Sequence, residues 1–133
     1  AHPRPADFDA FRTSKIEALS RIPLGATETV KESGVPDIDY FTIRLNNIGG
    51  AHVYGQLAKP HRDGKFPALM IYQWAGVYPL QKAWVTDRAR EGWLAFNIES
   101  HDLPGDMPPE FWASLPAMIR KSFWKVLCSL DLR

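Results

Sequence analysis

The stretch that most constrains the fold is a short apolar run, residues 68–72 (ALMIY), which lies between Pro67 and Gly76. The run is too short for a helix of its own, and it contains no charged residue. Such a run is typical of a strand that is buried on both faces, as in a parallel sheet covered by helices. A helical pattern over residues 80–91 and a second apolar run over residues 93–98 follow it. The sequence therefore predicts a strand–helix–strand unit.

In a right-handed unit of this kind the two strands run parallel, and the loops that leave them meet at the carboxyl edge of the sheet. Residues 73–76 follow the first strand, and residues 99–106 follow the second. Open α/β sheets place their chemistry at this edge. We therefore expect any functional site of the chain to include these two loops.

Upstream of this unit, the pattern predicts a helix and then a β-hairpin. Residues 7–22 follow a helical period that Pro23 ends, and we expect the apolar face of this helix to pack on the rest of the domain. Between residues 41 and 46 apolar and polar side chains alternate, which indicates a half-buried strand. A turn at residues 47–50 and a returning strand at residues 52–58 complete the hairpin.

The alternation also assigns the two faces of the first hairpin strand. Successive side chains of a strand point to opposite faces of the sheet. Phe41, Ile43 and Leu45 are therefore expected to be buried, and Arg44 is expected to be exposed.

In the last part of the chain the sequence predicts a helix, followed by a tail whose pattern fits either a strand or a helix. Pro108 and Pro109 suit the first turn of a helix that carries Phe111 and Trp112. In residues 122–133 the apolar side chains alternate as in a strand, yet several of them also have helical spacing. Both conformations stay open for this tail.

Composition and charge exclude several classes of protein. The 133 residues suffice for one structural domain, in which residues 1–26 form a helix with its lead-in and residues 27–133 form the α/β part. A formal net charge of +1 gives no reason to expect nucleic acid or an anionic membrane as a partner, and no apolar window is long enough to span a membrane. The single cysteine, Cys128, excludes an internal disulfide framework and a cysteine-rich metal site. The start at Ala1 suits a mature secreted or periplasmic protein or a trimmed chain.

Four segments carry a resemblance to a known family. In chain order they are residues 7–11 (DFDAF), 53–60 (VYGQLAKP), 66–71 (FPALMI) and 89–96 (AREGWLAF). Their order and spacing resemble the acetyl xylan esterase family, which includes cephalosporin C deacetylases. The resemblance covers residues 7–115 and implies the amino-terminal half of an α/β-hydrolase fold. We therefore expect a partial α/β-hydrolase-like sheet, made of a β-hairpin and the strand–helix–strand unit with flanking helices, that lacks the carboxyl-terminal half.

The resemblance also implies a reaction, which is the hydrolysis of acetyl esters on xylan or a related carbohydrate without a metal or a cofactor. In such hydrolases a serine attacks the ester carbonyl, a histidine takes the proton of the serine, and an acid orients the histidine. The serine stands in a G-x-S-x-G motif, and this sequence contains none. We therefore assign no catalytic residue and expect a short form or fragment of such an enzyme, without the triad.

One element of the family's site is implied within this chain. It is an oxyanion-hole donor, the main-chain N–H of Ala75, in the loop where Gln73 and Trp74 replace the family's usual His-Gly pair. An ordinary loop amide is the competing interpretation of Ala75. Gln73, Trp74 and Trp112 are candidate ligand contacts. For the two tryptophans the reason is that aromatic faces suit pyranose rings.

Other polar residues have structural interpretations that we favour. Ser100, His101 and Asp102 have the residue types of a triad, but neighbours in sequence do not generally meet in triad geometry, so a polar loop is expected. His52 and His61 lack a second ligand at metal spacing, so we expect surface histidines and no metal site.

The expected lack of half the sheet has a consequence for partners. In an α/β-hydrolase sheet the strand at residues 68–72 is interior, so one of its edges would be unpaired in this chain. An unpaired apolar edge invites another chain, and we expect a homo-oligomer that is, in its simplest form, a two-fold dimer. Residues 124–132 could cover the same edge. The alternative to an esterase-like function is a non-catalytic module that self-associates or binds carbohydrate.

Overall fold

Five strands form the sheet at the centre of the structure. The computed structural model describes residues 4–74, 77–99 and 101–115. The helices and strands in chain order are α1 (Phe8–Ser20), β1 (Thr27–Lys31), β2 (Ile38–Asn46), β3 (His52–Pro60), β4 (Ala68–Tyr72), α2 (Ala83–Arg90) and β5 (Leu94–Ile98). Residues 109–115 are helical, as Pro108 and Pro109 predict. The tail at residues 122–133 lies outside the described residues.

The strands lie side by side in the order β1, β2, β3, β5, β4. The first three neighbouring pairs are antiparallel, whereas β4 and β5 are parallel. This arrangement confirms both the hairpin and the strand–helix–strand unit, so the fold is a partial α/β architecture. Because β4 and β5 are parallel, the loops that follow them leave the sheet at the same edge, as the sequence predicts.

The helix α2 packs on one face of the sheet, which we call the helical face, and buries the core there. Val85 and Ala89 of α2 contact a cluster that also contains Tyr40, Ala58 and Ala95 from three different strands. Ala58, Val85 and Ala95 have no exposed surface. The small alanines let the helix approach the sheet closely, so the apolar side chains of α2 lose their contact with water.

The hairpin register places Ile43 opposite Gly55, on the face away from α2. Ile43 is buried and Arg44 is exposed, so the predicted facing of β2 is confirmed at these two positions. Phe41 and Leu45 are half-buried instead of buried. A Cβ built on Gly55 would lie 2.6 Å from the main-chain oxygen of Asn97, so only glycine fits where β3 approaches β5.

The prediction that β4 is buried on both faces is wrong in the described structure. Ala68, Met70 and Tyr72 are exposed, and they alternate with the half-buried Leu69 and Ile71. The register pairs Ile71 with Asn97 on the helical face, so the exposed side chains belong to the other face. An apolar run specifies a strand, but whether a neighbouring element covers each face depends on the rest of the structure.

The prediction that α1 packs its apolar face on the domain is also wrong. No residue of α1 is buried, and Phe11 and Ile16 are well exposed. The main-chain N–H of Asn46 donates to Leu24 and the Asn46 side chain donates to Pro23, which ties the segment after α1 to the end of β2. Among the described helices, none combines the length and apolar character that a membrane span requires.

A chain of buried hydrogen bonds crosses the helical face from β2 to β4. The Tyr40 hydroxyl donates to Oε1 of Gln56 over 2.8 Å, and Nε2 of Gln56 donates to Oδ1 of Asn97 over 3.0 Å. Nδ2 of Asn97 donates in turn to the main-chain oxygen of Ile71 over 2.9 Å. Gln56 also donates to the main-chain oxygen of Gln81, just before α2, so the chain joins four strands and the helix.

Candidate functional site at the carboxyl edge of the sheet

Three side chains at the carboxyl ends of β4 and β5 contain buried polar atoms that have no hydrogen-bond partner in the described structure. They are Gln73, through Oε1, Glu99, through both carboxyl oxygens, and His101, through both ring nitrogens. We call these three residues the carboxyl-edge cluster. Buried polar groups in native proteins are almost always paired, so unpaired ones concentrated at one edge indicate a functional region. Open α/β sheets bind their ligands at this edge.

Glu99 is the most buried member of the cluster. It follows β5, and its main-chain N–H donates to the oxygen of Tyr54 over 2.9 Å, which holds it beside β3. Its side chain is only 2% exposed, and a Cβ built on Gly105 would lie 3.3 Å from its Oε1 atom. Burial raises the pKa of Glu99 to about 7. The carboxyl group therefore holds a proton under mildly acidic conditions, when an exposed glutamate would be charged.

His101 is the second titratable member of the cluster. Burial of its ring lowers the pKa of His101, because the charged form loses its hydration. Its ring nitrogens have no partner among the described residues, so the imidazole is neutral near pH 7. The sequence predicts a polar loop at Ser100, His101 and Asp102 and not a triad. The described part of this loop contains an unpaired His101. Ser100 lies outside the described residues.

Asp102 instead contacts a histidine from the hairpin. Its Oδ1 lies 3.5 Å from Nδ1 of His52, and Nη2 of Arg44 donates to Nε2 of His52 over 2.5 Å. Since arginine can only donate, Nε2 of His52 accepts, and the ring proton stands on Nδ1, toward Asp102. Sequence reasoning treated His52 as an isolated surface residue and missed this contact between β3 and the loop. His61 likewise has a carboxylate partner, because its Nδ1 donates to Asp39 over 2.6 Å.

Gln73 and Trp74 lie together at the end of β4. Nε2 of Gln73 donates to the main-chain oxygen of Tyr78 over 2.7 Å, and the Tyr78 hydroxyl donates to the main-chain oxygen of Trp74 over 3.1 Å. The Trp74 side chain is 83% exposed. Both residues line an open cavity of about 370 Å³ between β4 and α2, with Tyr78 and Trp84 also in its wall. Ala75 lies outside the described residues, so its role as an oxyanion-hole donor stays a prediction.

Trp112 has a local structural role. Its indole N–H donates to the main-chain oxygen of Met107 over 2.9 Å, and its ring packs edge-to-face on Phe111 with centroids 5.5 Å apart. Because its polar group is already paired, Trp112 has less to offer a ligand than Trp74 has. Within the described ranges, no group of three histidine, cysteine or acidic side chains is arranged to hold a metal ion.

Sequence comparison relates the chain to acetyl esterases. The model of the family described as Acetyl xylan esterase (AXE1) matches residues 1–89. Acetyl esterase Axe7A of Xylanibacter ruminicola is 25% identical to the chain over 108 residues, which cover 80% of this chain and 25% of that protein. The chain therefore spans about a quarter of the length of this curated relative.

Two solved structures share the fold. Acetyl xylan esterase 1 from Thermoanaerobacterium sp. JW/SL YS485 aligns with a TM-score of 0.70 and 16% identity, over 80% of this chain and 33% of that chain. An acetyl xylan esterase from Paenibacillus sp. R4 aligns with a TM-score of 0.61 and 21% identity, over 74% of this chain and 32% of that chain. The sheet described above corresponds to the amino-terminal portion of these structures. Because the family model covers residues 1–89, well over half of the sequence, the chain belongs to the acetyl xylan esterase family.

Proposed function

We propose that this chain provides the amino-terminal part of an esterase site that acts on acetylated carbohydrate. Family membership and the names of the relatives, acetyl esterase and acetyl xylan esterase, support this reaction class. The observation that carries the proposal is the carboxyl-edge cluster, whose buried polar groups lack partners at the sheet edge where ligands bind in open α/β folds.

In this proposal the chain binds the ester and stabilises charge, and it does not supply the nucleophile. The sequence has no G-x-S-x-G motif, so no serine of the chain is assigned that role. The main-chain N–H of Ala75 would donate to the oxygen that becomes negative when the ester carbonyl is attacked. Gln73 would accept a hydrogen bond from a ligand hydroxyl through its unpaired Oε1 atom. The exposed Trp74 ring offers a face on which a pyranose could stack.

An assay of the purified chain on p-nitrophenyl acetate tests the catalytic part of the proposal. We expect hydrolysis no more than marginally above background, because a site without its triad retains only residual catalysis from binding and the oxyanion hole. A serine-directed inhibitor should change this rate little. Robust turnover that is abolished in Ser100→Ala would contradict the proposal and would assign the chemistry to the loop after β5.

A binding experiment tests the ligand part. Acetylated and deacetylated xylo-oligosaccharides are titrated into the chain while tryptophan fluorescence is recorded. We expect the acetylated form to bind more tightly, and Trp74→Ala to weaken binding by about 5-fold to 150-fold, the range that about 1–3 kcal/mol gives. The matched control is Trp112→Ala, which removes a tryptophan whose N–H is already paired. Equal weakening by both variants, or no binding of either oligosaccharide, would contradict the proposal.

Self-association through β4 is a second candidate function, and a different observation favours it. Among the described strands, β4 is paired only on the side of β5. Met70 and Tyr72 are 49% and 72% exposed on the same face of this strand. The strand carries no charged side chain, so two copies of the edge would not repel each other. We therefore propose a second copy of the chain as the partner, paired edge to edge about a two-fold axis.

A further inference from the structure

The end of the loop at residues 101–106 lines a cavity on the helical face of the sheet. The cavity has a volume of about 180 Å³, and Arg44 and Tyr54 line it together with Gly105 and Asp106 of the loop. Gly105 lies against the carboxyl group of Glu99, since a Cβ at this position would be 3.3 Å from Oε1. The loop therefore forms a wall of the cavity and a cover for Glu99 at the same time.

Among the described residues, Glu99 under this loop and His101 within it have no charged partner. The titratable or charged residues on the neighbouring elements are Arg44 on β2, His52 and Tyr54 on β3, and Asp102 and Asp106 in the loop. None of these side chains forms a described hydrogen bond with Glu99 or His101. Arg44 and Asp102 are both engaged with His52 instead. A charge that appeared on Glu99 or on His101 would be buried and unpaired.

We propose that residues 101–106 form a lid over this cavity, which opens when either Glu99 or His101 becomes charged. With both side chains neutral, the closed loop buries polar groups but no net charge. Ionisation of either one makes the closed state unfavourable, because an unpaired buried charge is far costlier than an unpaired neutral group. Lifting the loop returns the charged group to water and opens the cavity wall. This inference does not depend on the proposed esterase function.

The two residues respond to pH in opposite directions. The pKa of Glu99 is about 7 in the closed state and 4.5 when the group is exposed. The open fraction due to Glu99 therefore grows as the pH rises from 4.5 to 7, and it levels off above pH 7. The pKa of His101 is lower in the closed state than its ordinary value of 6.5. The open fraction due to His101 therefore grows as the pH falls below 6.5.

Hydrogen exchange measured by mass spectrometry on the full chain tests the lid. The peptide that covers residues 101–106 is compared at pH 5 and pH 7, after correction for the intrinsic exchange rate. In His101→Gln, where Glu99 is the member of the pair that still titrates, we expect exchange of this peptide to be on the order of 30-fold faster at pH 7 than at pH 5. In Glu99→Gln, where only His101 titrates, we expect the opposite slope. The double variant should lose both of these slopes.

A peptide from β3 in the same digests distinguishes lid opening from global unfolding. We expect its exchange to be unaffected by these two substitutions at both pH values, since β3 pairs on both sides. The lid is disproved if the two single variants show slopes of the same sign or no slope. It is also disproved if the β3 peptide changes in parallel with residues 101–106.

Discussion

Gln56 on β3 and Asn97 on β5 lie directly opposite each other, and Nε2 of Gln56 donates to Oδ1 of Asn97 over 3.0 Å. Both side chains are buried, so this bond forms where water cannot substitute for it. Gln56 also accepts from Tyr40 and donates to the main chain before α2. One amide side chain thus pairs with two buried side chains, those of Tyr40 and Asn97, and removing it leaves both without this partner. The main-chain oxygen of Gln81 keeps a second donor, the N–H of Trp84.

We therefore expect Gln56→Ala to lower the free energy of unfolding by about 2–4 kcal/mol, since each buried group left unpaired costs about 1–3 kcal/mol. Urea unfolding followed by circular dichroism measures this loss. The matched control is Gln81→Ala, because Gln81 contributes only its main-chain oxygen to the network and its side chain is exposed. An equal loss in both variants would show that the network does not stabilise the fold.

Ile43 and Arg44 offer a test of strand facing at neighbouring positions. Ile43→Asp should cost several kcal/mol, because it buries an unpaired charge against β3. Arg44→Asp should cost much less, because Arg44 is exposed and loses only its exposed hydrogen bond to His52. Thermal melts of the two variants at equal concentration give the comparison. Similar melting temperatures would contradict the assigned faces of β2.

Asp39 makes a contribution to the stability of the fold that is lost at acid pH. Hydrogen bonds from Lys59 and His61, 2.7 and 2.6 Å long, lower the pKa of this carboxyl below its usual 3.8. Its contribution is therefore present above pH 3.8 and is lost as the pH falls through the lowered pKa. We expect Asp39→Asn to destabilise the chain at pH 6 and to differ less from the parent chain at pH 3.

Urea unfolding at the two pH values measures this change. Asp63→Asn, which removes an exposed carboxylate from the loop before β4, serves as the control and should differ little from the parent chain at either pH. If Asp39→Asn loses the same stability at pH 3 as at pH 6, the ionised form of Asp39 is not the stabilising species.

Tyr72 tests association through β4. We expect the chain to sediment as a dimer at micromolar concentration, and Tyr72→Lys to raise the dissociation constant at least tenfold, because a charge on an edge strand opposes pairing. Ile16→Lys is the control, since Ile16 is similarly exposed and apolar but lies on α1. A parent chain that is monomeric over this range would contradict the proposed edge-to-edge dimer, as would equal effects of the two substitutions.

Much of the fold could be predicted because its signals are local in the sequence. Alternation from Phe41 to Asn46 correctly predicted the burial of Ile43 and the exposure of Arg44 on β2, and the apolar runs around α2 identified β4 and β5. The exposed face of β4 and the exposed α1 could not be predicted. Their apolar residues are typical of buried positions, and burial depends on which other element lies against them.

The candidate site could be located but not described from the sequence. Parallel strands require that the loops after β4 and β5 share an edge, and the carboxyl-edge cluster lies there. The burial of Glu99 was missed, because it depends on the approach of Gly105 from further along the loop. The available signal for this site was Glu99, an acidic residue directly after an apolar run, with His101 two positions further on.

The position of β5 between β3 and β4 also affects how the chain folds during synthesis. The β2–β3 contacts are close in sequence and can form early, whereas Gln56 and Asn97 are 41 residues apart. Until Leu94–Ile98 leaves the ribosome, the edges of β3 and β4 that later pair with β5 both stay unpaired in the nascent chain. Translation pauses before this point would therefore lengthen the period in which the chain is most prone to aggregate or to bind chaperones.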